Sequence, residues 1–220
     1  MEEHDILRGE KSDLANSKRQ QVLLDRIANG DFDAVITSPP CDTFTRAVYT
    51  NRRGPKPVRS YRHPKGFPWL QGVSKERVQI ANGHVEFSLR AHRAAIIAGA
   101  RNLLEHPEDL GRSNLGRQGT IWQWDDTKDF VDNFEELFTG AFCQCQWHLG
   151  LPYRKPTRLL SDLTDLKADL ILGWPEFDSA GWYKGPLPRH CGHDHEVKLI
   201  QKEGMEPSDG FMTSGSGSWP

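Results

Sequence analysis

The stretch Asp33-Ala34-Val35-Ile36-Thr37-Ser38-Pro39-Pro40-Cys41 decides the expected fold. Its first five residues form an apolar run, rich in β-branched side chains, which is typical of a buried strand. The two prolines cannot extend a sheet ladder, so the strand ends there in a stiff turn. Cys41 is therefore predicted to lie at the carboxyl edge of a strand. Open α/β sheets bind their ligands at that edge, and a thiol there suits nucleophilic attack.

The rest of the chain alternates between helical and strand patterns. Apolar periodicity predicts helices over 17–28, 74–100 and 130–138, and strands over 33–37, 102–107 and 140–149. Such alternation predicts βαβ units in an α/β fold, with a Rossmann-like, mostly parallel sheet flanked by helices. We expect a core over 1–165, a short Gly/Pro/His-rich appendage over 166–209, and a flexible Ser-Gly tail over 210–220.

Composition excludes several classes of protein. No stretch approaches the roughly 18 apolar residues of a membrane span, and the acidic start lacks an apolar signal region. Four cysteines spread over 220 residues do not form the pattern of a secreted disulfide framework. We therefore expect an intracellular protein with reduced thiols and no membrane partner.

One segment is strongly basic although the net charge of the chain is only -2. Between Thr43 and Gly66 there are seven cations and no acidic residue: Arg46, Arg52, Arg53, Lys56, Arg59, Arg62 and Lys65. The aromatic residues Tyr49, Tyr61, Phe67 and Trp69 are interleaved with them or follow directly. Clustered cations with aromatic neighbours suit a phosphate backbone and unstacked bases, so we predict nucleic-acid binding. The alternative is a solvated loop without a partner.

Glu105 is the second candidate for chemistry. It stands near the end of its own predicted strand, just before His106 and Pro107. Because strands of such sheets present their ends at one edge, we expect Glu105 to share a crevice with Cys41. The alternative is a loop carboxylate that caps a neighbouring helix.

Three motifs resemble those of DNA cytosine-C5 methyltransferases. Pro39-Pro40-Cys41 is similar to the proline-cysteine motif of that family, and Glu105-His106-Pro107 is similar to its Glu-Asn-Val or Glu-Asn-Pro motif. Lys155-Pro156-Thr157-Arg158, after Gly150-Leu151-Pro152, is similar to an arginine-bearing strand, most closely in phage and retroelement relatives.

The resemblance implies a class I methyltransferase fold and a specific set of roles. Cys41 would attack C6 of a flipped cytosine, Glu105 would protonate N3, and Arg158 would hydrogen-bond the base. Ser38, Pro39 and Pro40 would line the site of S-adenosylmethionine, and Arg154 would contact DNA. The partner would be DNA, which places the protein in a nucleus or nucleoid. We also expect the arginine-rich segment to favour the Cys41 thiolate.

The family's Phe-x-Gly-x-Gly loop, which holds the cofactor, has no counterpart before Asp33. We therefore expect a fragment, a decayed copy, or half of a split enzyme whose cofactor site a second polypeptide completes. Two other functions stay open: a nucleic-acid-binding remnant without activity, and a methyltransferase acting on exocyclic amines of bases. The second alternative is weakened because Cys41 stands where such enzymes carry an aromatic residue.

Cysteines and histidines late in the chain offer metal ligands. Cys143-Gln144-Cys145 and His190-Cys191-Gly192-His193-Asp194-His195 contain thiols and imidazoles. A Cys-x-Cys pair lacks the spacing of a standard zinc finger, and both thiols are expected on one face of a strand. Zinc at these residues stays open as an alternative, but we assign no metal ligand and interpret the cysteines as small buried side chains and the histidines as part of a polar loop.

Overall fold

The computed structural model describes residues 2–4, 12–49, 55–147, 151 and 153–195. Its helices are α1 (Ser17–Ala28), α2 (Gly72–Ile97), α3 (Asp125–Asp132) and the single turn α4 (Gln144–Trp147). Its strands are β1 (Ala34–Thr37), β2 (Arg101–Pro107), β3 (Arg112–Ser113), β4 (Gly116–Arg117), β5 (Phe138–Cys143), β6 (Pro156–Ser161), β7 (Ile171–Leu172), β8 (Glu176–Phe177) and β9 (Tyr183–Gly185).

The five-stranded main sheet has the order β1-β2-β6-β5-β7. Strands β1 and β2 are parallel and are connected through α2, whereas every other neighbouring pair is antiparallel. The expected α/β class with a helix-flanked sheet is confirmed, but in the described part of the chain only β1 and β2 pair in parallel. Among the described residues between β5 and β6, the only helix is the single turn α4, which is too short for the crossover that a parallel pair needs.

Two predicted elements of the second half were misplaced. A helix was expected over 130–138, but α3 spans Asp125–Asp132 and Phe138 begins β5. Asp125 and Asp126 lie in the first turn of α3, where negative charge interacts favourably with the helix dipole. A strand was expected over 140–149, but β5 ends at Cys143 and α4 follows, while residues 148–150 lie outside the described part of the chain.

Strand β1 was expected to be buried, and this prediction is wrong. Its four residues alternate between exposed and part-buried, and Ile36 is 71% exposed. Among the described residues, β1 pairs only with β2 and forms an edge of the sheet. The apolar run therefore predicts the strand and its end correctly, but not the degree to which the strand is buried.

Helix α2 organises the core by packing in two directions. Val85 and Leu89 of α2 join Leu104 and Leu160 on one face of the sheet. Elsewhere on α2, Phe87, Ala91 and Ala95 contact the apolar side of α1, namely Leu23, Leu24 and Ile27. On the opposite face of the sheet, Leu166 from the turn Thr164–Ala168 packs against Phe142, Leu159 and Leu170. The strand ends that carry Cys41 and Glu105 are thus attached to a framework packed on both sides.

The segment after residue 165 begins as part of this sheet. Strand β7 pairs with β5 through Gly140 with Leu172 and Ala141 with Ile171. The β8–β9 hairpin follows, and the expected tail over 210–220 lies outside the described residues. No helix in the described ranges is long and apolar enough to cross a membrane.

Candidate nucleophile site at the ends of β1 and β2

The structure brings Cys41 and Glu105 together at the ends of the parallel pair. The register pairs Thr37 with Leu104, so the next residues, Ser38 and Glu105, are neighbours. The Ser38 hydroxyl donates to Glu105 Oε2 at 2.5 Å. After the two prolines, the chain turns at Cys41, whose carbonyl accepts from the Phe44 amide at 2.9 Å, and the Cys41 thiol is free and exposed.

A buried hydrogen-bond network holds the end of β1 in place. The ring of His92, on α2, is fully enclosed; burial lowers its pKa to about 4, so the imidazole is neutral near pH 7. Its Nδ1 donates to Asn102 Oδ1 at 2.9 Å, which leaves Nε2 to accept from the Thr37 hydroxyl at 2.7 Å. Asn102 in turn lies on β2. The network therefore connects α2, β1 and β2 directly before the turn that presents Cys41.

Glu105 is held through both carboxylate oxygens. Gln144, at the start of α4, donates from Nε2 to Glu105 Oε1 at 3.2 Å, while Ser38 occupies Oε2. These donors fix the orientation of the carboxyl group beside the thiol. Gln144 was not among the predicted site residues, because its role depends on the antiparallel pairing of β5 with β6, which the expected parallel sheet did not include.

The electrostatics of the thiol differ from the prediction. Desolvation by surrounding protein atoms and the negative charge of Glu105 raise the pKa of Cys41, and Asp42 adds to this effect. The cation that opposes the rise in the Cys41 pKa is Lys155, not an arginine of the basic segment. The thiol is therefore protonated at neutral pH in the resting protein. Lys155 immediately precedes β6, and this strand lies antiparallel to β2, so Lys155 lies near the carboxyl end of β2.

Arg158 does not reach this site. On β6 it pairs with His106, and alternate residues of a strand face opposite sides, so Arg158 and Glu105 lie on opposite faces of the sheet. The Arg158 side chain is fully buried. It forms an ion pair with Glu108, with Nε 2.9 Å from Oε2, and it donates from Nη2 to Oε1 at 3.0 Å. The role in base binding implied for Arg158 is thus not supported; the residue neutralises a buried carboxylate.

His106, which replaces the asparagine of the resembling motif, is also buried on that opposite face. Its ring contacts the ring of Phe44 edge-on at 5.0 Å and lies 6.3 Å from that of Trp122. Burial and the nearby Arg59 lower the pKa of His106 to about 3, so it is neutral. His106 is part of the core rather than of the site.

Several cations of the basic segment form contacts within the protein. Arg59 is only 1% exposed; it lies 3.7 Å from the centre of the Phe44 ring and donates to Pro64 O, Asn82 Oδ1 and Thr43 Oγ1. Arg46 donates to the Arg112 carbonyl at 2.7 Å, and Lys65 pairs with Asp126 at 2.5 Å. These contacts contradict a phosphate-binding role for Arg59 and give Arg46 and Lys65 partners within the protein.

Other cations of the predicted set have different positions. Lys56 and Arg62 are exposed, whereas Arg52 and Arg53 lie outside the described residues. Arg154 donates to the carbonyls of Pro188 and Arg189 at 2.6 and 3.0 Å, and so ties the late segment to the core. Lys56 and Arg62 are the described members of the basic segment best placed to meet a polyanion.

An aromatic pair with one exposed ring follows Arg62 in sequence. Trp69 is 65% exposed and stacks on Phe67, with ring centres 4.8 Å apart and planes 10° apart. His63 contacts the Trp69 ring at 5.6 Å. A flat, supported ring with one side open to solvent is suited to stack on an unpaired base.

Ser38, Pro39 and Pro40 do not fit the expected cofactor. Proline nitrogens carry no hydrogen to donate, Pro39 is buried, and the Ser38 hydroxyl is used by Glu105. A cleft of about 390 Å³ lies elsewhere, lined by α1 and the preceding residues, among them Asn16, Arg19 and Arg26. None of the residues from 38 to 41 lines it. Ser38, Pro39 and Pro40 thus do not supply the contacts expected for S-adenosylmethionine.

The late cysteines and histidines converge, contrary to the assignment of no metal ligand. Cys145, Cys191, His193 and His195 offer ligand atoms that all lie within 4.8 Å of one another. Cys145 belongs to α4, not to a strand shared with Cys143. The sequence spacing concealed this cluster because Cys145 comes from a distant segment.

Replacing Lys155 with methionine is expected to slow alkylation of Cys41 by iodoacetamide several-fold at pH 7.5. The lysine charge lowers the pKa of the thiol, so its loss reduces the reactive thiolate fraction. The rate is measured by mass spectrometry of the Cys41 peptide as a function of pH. Lys128→Met, on α3, is the control and should leave the rate unchanged. An unchanged rate in the Lys155 variant would contradict the placement of Lys155 beside the thiol.

No family model matches this chain, and neither a curated protein nor a solved structure matches it. The contacts at the ends of β1 and β2 are therefore the basis for assigning a function.

Proposed function

We propose that this chain binds an unstacked cytosine of DNA and attacks its C6 atom with Cys41, as cytosine-C5 methyltransferases do. One observation carries the proposal. Exposed Cys41 follows the end of β1, and the oriented carboxyl group of Glu105, near the end of the adjacent parallel strand β2, is close enough for its charge to act on the thiol. A nucleophile and a proton donor placed side by side are what addition to a pyrimidine ring requires.

In the proposed step, the Cys41 thiol loses its proton through water to the carboxylate of Glu105, and the sulfur forms a bond to C6. The electron pair of the C5–C6 double bond moves into the ring, and N3 takes the proton from Glu105. While Glu105 holds this proton, its negative charge no longer opposes formation of the thiolate. Lys155 stabilises the thiolate.

The product of this addition carries a nucleophilic C5 atom, which is the position methylated by the resembling family. S-adenosylmethionine, the expected methyl donor, would need a site formed by residues other than Ser38, Pro39 and Pro40, or by a second polypeptide. The covalent addition itself needs no cofactor, so it can be tested separately.

The base must leave the stack to reach Cys41, because C5 and C6 are inaccessible within a duplex. Trp69, supported by Phe67, offers an aromatic surface for a base. Exposed Lys56 and Arg62 offer charges for the phosphates. We therefore propose single-stranded or distorted DNA as the substrate form that binds most readily.

The double replacement Lys56→Ala/Arg62→Ala is expected to weaken binding of a single-stranded oligonucleotide and to make binding less sensitive to salt. Loss of two phosphate contacts lowers the slope of log K against log salt by about 1.4 for single strands. Fluorescence anisotropy over a range of salt concentrations measures both quantities. Lys128→Ala/Lys167→Ala is the charge-matched control. An equal loss of affinity in both double variants would show that only net charge matters.

Covalent trapping tests the proposal. The wild-type chain is incubated with an oligonucleotide that contains 2-pyrimidinone, a cytosine analogue that lacks the exocyclic amine and is electrophilic at C6. A complex that survives denaturing electrophoresis is expected for the wild type and absent for Cys41→Ser. Cys143→Ser, which alters a buried thiol, is the matched control and should trap normally. Wild-type protein that binds the oligonucleotide without trapping it would overturn the proposal.

A nucleic-acid-binding protein without catalysis is the second candidate. It is favoured by the poor fit of Ser38, Pro39 and Pro40 to a cofactor. Under this alternative, the Lys56/Arg62 variant still loses affinity, but no covalent complex forms. The two measurements together therefore separate the candidates.

A further inference from the structure

Four metal-ligating side chains meet where the segment after β9 returns to α4. Cys145 comes from α4, and Cys191, His193 and His195 come from a short alternating stretch. All four ligand atoms lie within 4.8 Å of one another. His195 Nε2 is 3.0 Å and His193 Nε2 is 3.9 Å from the sulfur of Cys191. Tetrahedral zinc sites hold their ligand atoms roughly 3.3–3.8 Å apart, so small side-chain movements would complete one.

We propose that Cys145, Cys191, His193 and His195 form a structural zinc site. Two thiolates and two neutral imidazoles are a ligand set that zinc prefers, and four protein ligands leave no position open for substrate. The two thiolate charges balance the charge of the ion. The resulting neutral centre suits its location, because Cys145 and Cys191 are buried with Ala141, Cys143 and Leu187.

Contacts around the cluster support a structural role. Gln146, next to Cys145, donates from Nε2 to the Cys191 carbonyl at 3.1 Å. Arg154 holds the carbonyls of Pro188 and Arg189 in the residues just before the cluster. The ion would thus fasten a segment that contains little regular structure to the end of β5. This resembles the way that small domains use metals where a hydrophobic core is thin.

The site also adjoins the nucleophile site through α4. Gln144, which donates to Glu105, is the neighbour of Cys145 in sequence. Binding of zinc at Cys145 would therefore help to fix the first residue of α4. The zinc proposal does not depend on the proposed function, because it stands on the four ligands alone.

The full chain, purified without chelators, is expected to contain one zinc ion per molecule by inductively coupled plasma mass spectrometry. Replacement of zinc by cobalt should give the visible bands of a tetrahedral ion and a thiolate-to-cobalt charge-transfer band. Cys145→Ser and Cys191→Ser should each lower zinc affinity by more than the roughly 10–100-fold that loss of an outer partner costs. His190→Ala and Cys41→Ser are the matched controls and should bind zinc like the wild type.

Two results would overturn the proposal. The first is folded wild-type protein that contains no zinc and takes up neither zinc nor cobalt when they are added. The second is a disulfide between Cys145 and Cys191, found by peptide mass spectrometry in protein prepared under reducing conditions. If a cysteine variant fails to fold, cobalt spectra of the wild type and of His195→Ala decide the question. Loss of the tetrahedral bands is expected for His195→Ala, and unchanged bands would exclude His195 as a ligand.

Discussion

Arg158→Met is expected to lower the free energy of unfolding by about 3–5 kcal/mol, because it leaves Glu108 buried without its countercharge. Both side chains are fully buried, and Arg158 also donates to Thr139 Oγ1 at 3.0 Å. Urea unfolding followed by tryptophan fluorescence measures the loss. The double variant Arg158→Met/Glu108→Leu is the control. It should recover most of the stability, since apolar replacement of a whole buried pair is often close to neutral.

The stability loss of Arg158→Met should grow with pH. Burial raises the pKa of Glu108 from 4.5 to about 7, and Arg158 opposes this rise. Without Arg158 the folded-state pKa rises further. The stability of both proteins falls as pH rises from about 4.5, but the wild-type fall ends near pH 7 whereas that of the variant continues. The loss caused by the substitution therefore grows above about pH 7. A variant of normal stability that fails in covalent trapping would instead give Arg158 a role at the base.

Glu105→Gln is expected to have opposite effects on two reactions of the same thiol. Covalent trapping of the 2-pyrimidinone strand should slow by about 10²–10⁴-fold, because the amide cannot supply the proton to N3. Alkylation of Cys41 by iodoacetamide should become several-fold faster at pH 7.5. The lost negative charge no longer raises the pKa of the thiol, and alkylation needs no proton donor.

Asp42→Asn is the matched control for this pair of rates. Asp42 also raises the pKa of Cys41, but less than Glu105 does, and its carboxylate pairs with Arg77 at 2.5 Å. The variant should speed alkylation slightly and leave trapping near the wild-type rate. Parallel decreases of both rates in Glu105→Gln would mean that the substitution disturbs the turn at Cys41. That result would contradict a chemical role for Glu105.

Local patterns in the sequence predicted the part of the site that local rules determine. A β-branched run, two prolines and a following cysteine define a strand, its end and the residue presented there. The position of Glu105 at the site could be predicted because Glu105 lies near the end of a second strand that runs in the same direction. These two strands are the parallel pair of the sheet, and the rule about carboxyl edges holds for them.

The other residues of the site are placed by strand pairing between segments that are distant in sequence. Arg158 looked like a base-binding residue until the β2–β6 register placed it on the face of His106. A shift of one residue would have placed it on the face of Glu105, and the sequence contains no signal of that register. Lys155 and Gln144 reach the site for the same reason, through antiparallel strands that the expected parallel sheet lacked.

Charge and cysteine patterns gave wrong predictions for residues whose side chains form contacts within the fold. Arg59 belongs to a run of cations without acidic residues, yet it is buried against the Phe44 ring with three hydrogen-bond acceptors around it. Cys145 belongs to a Cys-x-Cys pair, yet its neighbours in space are Cys191, His193 and His195. In both cases, partners distant in sequence decide the role.

Identification of the trapped residue tests the central claim most directly. Wild-type protein is reacted with the 2-pyrimidinone oligonucleotide and digested, and the cross-linked peptide is sequenced by tandem mass spectrometry. We expect the nucleotide mass on the peptide that contains Cys41, with the fragment ions placing it on that residue. A strand bound without any adduct, or an adduct on Cys143, Cys145 or Cys191, would contradict the account.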